Sequence, residues 1–141
     1  MAKQRSDDDQ NEARVFILPW PGNLHSHNQG HWREKQKATR QNRGIGKLVA
    51  LDQIACGAKK IKGEHRIGYR FYAPDNRRRD AANLIQQCKP YIDGIVDSAY
   101  IEGDHWQISK IWFVSVEISS TDPRVEILIA ANPSKIDPKT H

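Results

Sequence analysis

HRIGYRFYAPDNRRRDAANLIQQCKPYIDGIVD, residues 65–97, decides the architecture. Its first nine residues place Ile67, Tyr69 and Phe71 two apart, the spacing of a strand with one buried face, and send Arg66 and Arg70 the other way. Pro74 and Asp75 end that strand. A helix is expected from Asp80, whose carboxylate can accept from the free N–H groups of a first turn. Leu84, Cys88, Tyr91 and Ile95 then form one apolar stripe, with Ile85, Ile92 and Val96 beside it. Pro90 falls in the middle of this stripe, and an interior proline costs a helix about 3 kcal/mol. The spacing therefore predicts a kink or two short abutting helices.

Upstream, ARVFILPW (13–20) reads as a strand stopped by Pro19 and Pro21. From Trp32 to Lys60 the pattern is helical, with Leu48, Leu51, Ile54 or Ala55, and Ala58 on one face and a break or bend expected at Gly44 and Gly46. Downstream, SAYIEGDHW (98–106) is a connecting loop and QISKIWFVSVEIS (107–119) a long strand, alternating Ile108, Lys110, Trp112, Val114, Val116 and Ile118 with a row that includes Ile111 and Phe113. TDP (121–123) signals a turn, and RVEILIA (124–130) is a last strand, most simply the antiparallel hairpin partner of the one before. The order is β-α-β-α-β-β, an α+β class with two main helices on a small mixed or antiparallel sheet. Residues 1–12 and 132–141, polar or proline-rich without periodicity, read as disordered tails around one domain, 13–131.

A chain of 141 residues is enough for one such domain. No apolar run approaches the roughly 20 residues that cross a bilayer, and the first twelve residues lack the apolar stretch of a secretory signal. A cytoplasmic location and no membrane partner are expected. Cys56 and Cys88 both fall at apolar helical positions, so two buried free thiols are expected, and two cysteines cannot make an all-thiolate zinc site. His25, His27 and His31 form a loop HSHNQGH that could ligate a metal with His65 or His105, but loop histidines are ordinary and no cysteine stands near. GxxxxGK, GxSxG and HExxH are all absent, which removes the main support for an NTPase, a serine hydrolase or a zincin.

Charge is uneven. Residues 28–70 hold eleven Lys or Arg against three acids, and Arg77, Arg78 and Arg79 follow soon after. Trp32, Tyr69, Tyr72 and Trp106 are interleaved with these cations, a mixture suited to phosphate neutralisation and stacking on bases. Three successive arginines repel one another and call for an anionic partner, and here they abut Asp80 at a helix start. Hydrolysis of a phosphodiester needs an activated water and charge neutralisation, which carboxylate-held Mg2+ supplies. Asp80 and Asp104 are the leading carboxylates, with Lys89 as a cation able to stabilise charge developing on phosphate. Asp93 and Asp97 share a helix face but, being like charges four apart, read first as solvated acids.

LPWPGN (18–23), APDNRRRDAANL (73–84), KPYIDGIVD (89–97) and IEGDHW (101–106), taken together in this order and spacing, resemble the RusA-type Holliday junction resolvases, over residues 14 to about 130. The resemblance implies a homodimeric, Mg2+-dependent endonuclease (Mn2+ substituting) that makes paired nicks in four-way DNA junctions. It implies that Asp80 and Asp104 bind the metal, that Lys89 steadies the phosphate once three residues are allowed as an insertion, and that Asp93 falls on an acid position. Arg77, Arg78 and Arg79 with Asn23 and Asn83 would position the DNA backbone. One departure matters: Ala82 stands where the family's second acid is expected, and Gly103 where the first of a later acid pair is. The departure leaves an inactivated variant, a protein that binds branched DNA without cutting, or an enzyme that recruits Glu102 or Asp93 instead; a separate reading is an unrelated RNA- or protein-binding module with a basic surface.

Overall fold

The computed structural model describes residues 13–21 and 32–132. Its elements are β1 (Arg14–Pro19), α1 (Trp32–Ala55), β2 (His65–Ala73), α2 (Ala81–Gln87), α3 (Lys89–Asp97), β3 (Ser109–Ile118) and β4 (Arg124–Ala131). This is an α+β fold in the expected order, a four-stranded mixed sheet covered by helices. Pro90 acts as expected: two abutting helices meet at Cys88, which closes α2 and opens α3, and the proline sits in the first turn of α3, where no N–H is missed.

The expected β3–β4 hairpin does not form. The sheet order is β1-β4-β2-β3, with β4 antiparallel to both β1 and β2, and β3 parallel to β2 at the edge. The reason is burial. VEILIA, residues 125–130, is buried at every position and so belongs in the middle of the sheet, whereas β3 is at most half-buried along its length. The five residues between them carry the chain over the end of β2.

The face of α1 is also corrected. Leu48 and Leu51 are exposed, and the buried residues are Ala38, Asn42, Gly46 and Ala50. Gly44 and Gly46 do not break the helix, which ends at Ala55. A Cβ on Gly46 would strike the Tyr91 carbonyl, and one on Gly94 would strike the Arg43 carbonyl and the Lys47 nitrogen. The two glycines let α1 and α3 cross backbone to backbone, and an Arg43–Asp97 ion pair at 2.6 Å closes one side of the crossing. Phe16, Leu18, Phe71, Tyr91, Ile95, Ile101, Val125, Ile127 and Ile129 fill the core between helices and sheet. Cys88 is buried as expected, but Cys56, just past the end of α1, is exposed. Asn132, assigned to a tail, is ordered by bonds to Glu64. No helix of the described residues is long and apolar enough to cross a membrane.

Candidate active site

Lys89 opens α3, and Asp93 stands one helical turn later on the same face. Asp104 arrives from the loop after α3, and the Lys89 Nζ lies 2.7 Å from Asp93 Oδ1 and 2.7 Å from Asp104 Oδ2. The two carboxylates are thus at most twice that distance apart around one ammonium. Each is held from behind. Tyr91 donates its hydroxyl to the Pro19 carbonyl at 2.7 Å and ties α3 to the end of β1. Ser98 Oγ donates to the Ile95 carbonyl and accepts from the Tyr100 N–H, turning the chain out of the helix. Ile61 and Ile101 then form a bridge, and Glu102 accepts from the Gly63 N–H, which fixes the approach to Asp104.

Burial would depress the Lys89 ammonium, but its hydrogen bonds to Asp104 and Asp93 outweigh that and hold its pKa above the ordinary lysine value. The site opens on a cavity of about 460 Å3 whose walls include Ile67, Tyr69, Ile85, Lys89, Asp104 and Trp106. Trp106 is exposed at the rim, with Lys110 over its ring. Trp32 is likewise exposed, but Tyr69 is buried and Tyr72 lies under Arg124, so of the four aromatics the two tryptophans offer open faces.

Asp80 caps α2, accepting from the Ala82 N–H at 3.3 Å, and stands at the opposite end of that seven-residue helix from Cys88 and Lys89. Glu102 is turned to Gly63. Among the described residues no three His, Cys, Asp or Glu stand close enough to hold one ion. Asp104 meets Asp93 around the Lys89 ammonium. A magnesium ion is commonly held by one or two carboxylates plus waters and substrate phosphate. The Asp93–Asp104 donor set fits that description once the Lys89 ammonium moves out from between the two.

The arginines divide. Arg77 and Arg79 fold back on Asp75, whose carboxyl is held below its ordinary value by the Arg77 N–H and the Arg79 side chain. Arg79 also lies over the Trp20 ring. Arg78 is exposed and forms no ion pair among the described residues. Asn83 lines a groove of about 280 Å3 with Lys35, Thr39, Gln86 and Lys89. Asn23 and the loop histidines 25, 27 and 31 lie outside the described residues. Sequence reasoning missed Asp75, read there as a strand stop. Its place two and four residues before Arg77 and Arg79 was the available signal.

No protein-family model matches the chain. It is similar to an uncharacterized protein of Xylella fastidiosa, 32% identical over 93 residues, which cover 64% of this chain and 61% of that protein. The match thus spans about three fifths of the relative's length.

Proposed function

We propose that the protein is a Mg2+-dependent, structure-selective endonuclease of the RusA type that nicks four-way DNA junctions as a homodimer in a bacterial or phage-infected cytoplasm, serving recombination or repair. The observation that carries this reading is the Lys89 ammonium between Asp93 and Asp104, at the two positions the resemblance assigns to the helix lysine and the last metal acid. Asp93 and Asp104 would hold the ion, which when bound supplies charge neutralisation at the phosphate and a more acidic water. Lys89, released from its carboxylates, faces the phosphate and stabilises the negative charge that builds up as the bond to the leaving oxygen breaks. The exposed Arg78 contacts a backbone phosphate, and Trp106 at the rim offers a ring to a base unstacked at the branch. Asp80 joins the metal only if its carboxylate leaves the cap of α2.

A second reading, junction binding without cutting, is favoured by Ala82 in place of an acid and by the absence of a third carboxylate near Asp93 and Asp104 among the described residues. A nicking assay on a synthetic four-way junction in Mg2+ separates the two. The enzyme reading expects paired nicks that Asp104→Asn and Asp93→Asn each reduce at least about 100-fold, the scale of losing one charge-stabilising group. Salt-sensitive junction binding with no cleavage in Mg2+ or Mn2+, and activity gained in Ala82→Asp, supports the second reading. Equal binding of linear single strands and junctions overturns both.

A further inference from the structure

Strand β3 ends the sheet, so among the described residues its outer row of N–H and C=O groups has no ladder partner. Natural edges of this kind are short, charged or covered. This one runs ten residues and leaves Ile111 67%, Trp112 41%, Val116 47% and Ile118 57% exposed. The other edge is treated differently: Gln53 of α1 reaches over β1 and donates to the Val15 carbonyl.

The register of β3 against β2 contains a one-residue bulge, because Ile67 faces Ile111 while Gly68 faces Phe113. Trp112 is the extra residue. Trp112 and Phe113 consequently lie on one face, Trp112 against Arg66 and Phe113 over Gly68. The bulge also returns Lys110 and Glu117, seven residues apart, to a common face. With Trp112 and Phe113 sharing one position, β3 has nine positions, and Val114 is the central one.

We infer that the β3 edge is a self-complementary docking surface for a second copy of this chain, paired antiparallel about a two-fold axis through Val114. In that register Lys110 faces the partner's Glu117 and Glu117 the partner's Lys110, while Ile111 faces the partner's Val116 on the helix side. Opposite charges and apolar groups therefore meet across one isologous ladder, which joins two four-stranded sheets into one. Lys110 and Ile111 also line the cavity beside Lys89 and Asp104, so the interface runs along the rim of the candidate site. The inference names the surface of the homodimer in the proposed reading and rests on it for the partner, while the choice of surface rests on the strand itself.

Sedimentation of the full chain at micromolar concentration tests it. The expected result is a dimer whose dissociation constant rises at least about tenfold in Lys110→Glu, where two attractive contacts become repulsive at once. The double variant Lys110→Glu with Glu117→Lys restores the pairing to within about threefold, which a variant that merely misfolds could not do. A monomeric wild type overturns the inference, as does a dimer indifferent to Lys110→Glu or a double variant that fails to recover. Protected β3 amides in a monomer would place a segment of the same chain on the edge, and would also overturn it. Nicking activity is read separately, so a monomeric wild type that still makes single nicks sinks this inference and leaves the chemistry standing.

Discussion

At the scale of single residues, the Lys89 contact adds little stability, and its part in the proposed chemistry is separable from folding. Its side chain is more than half exposed, and a surface ion pair contributes about 0–1 kcal/mol. Lys89→Ala is therefore expected to leave the unfolding midpoint nearly unchanged while lowering junction nicking about 100-fold or more. Unaltered nicking would remove Lys89 from the chemistry. His65 is the opposite case. It is fully buried, its Nε2 has no hydrogen-bond partner among the described residues, and burial lowers its pKa below the ordinary 6.5. The unfolded chain then holds the proton more tightly than the folded one. Stability is complete above pH 6.5 and falls as the pH drops below it towards the folded value. Urea titrations between pH 7.5 and 5 should show a decline that is shallower in His65→Leu, and identical slopes would sink this account.

At the scale of elements, the α1–α3 crossing makes a contrast between neighbouring glycines. An alanine at Gly44 meets nothing within 4 Å, whereas one at Gly46 or Gly94 meets backbone that cannot rotate aside. Gly44→Ala should stabilise by about 0.5–1 kcal/mol through helix propensity, while Gly94→Ala should destabilise by about 1–3 kcal/mol through overpacking. Equal effects in chemical denaturation would mean that the helices do not cross this closely. The same crossing explains what the sequence could and could not tell. Pro90 divided the second helical region legibly, because a missing N–H is a local property. Leu48 and Leu51 misled, because apolar periodicity finds a face but cannot say that small residues are needed where another helix approaches. The apolar run ILIA (127–130) of β4 did carry its central place, but the turn signal at TDP drew the strand towards its sequence neighbour. Asp93 and Asp97, like charges four apart that read as solvated, are each paired in the fold, Asp93 with Lys89 and Asp97 with Arg43, contacts that spacing along one helix does not reveal.

At the scale of the molecule, a net charge of +5 gives a general attraction to phosphate, but under the proposed reading which cations would act on DNA depends on what already holds them. Arg78 and Arg79 are adjacent in sequence and differ in this respect. The Arg79 guanidinium donates to the Asp75 carbonyl and carboxylate and lies over Trp20, with its side chain 17% exposed, whereas Arg78 is exposed without an ion pair among the described residues. A cation free in the unbound protein can neutralise a phosphate and release its counterion, while one already neutralised gains less by doing so. Junction binding by the Asp104→Asn chain, followed by fluorescence anisotropy across a salt series, should therefore weaken in Arg78→Ala with the slope of log K against log salt reduced by about 1. Arg79→Ala should change that slope less and lower the thermal midpoint instead, because the turn from Asp75 to Asp80 loses its internal clamp. An unchanged slope in Arg78→Ala would take the arginine run off the DNA-facing surface and leave the basic stretch along α1 and residues 59–62 as the remaining footprint.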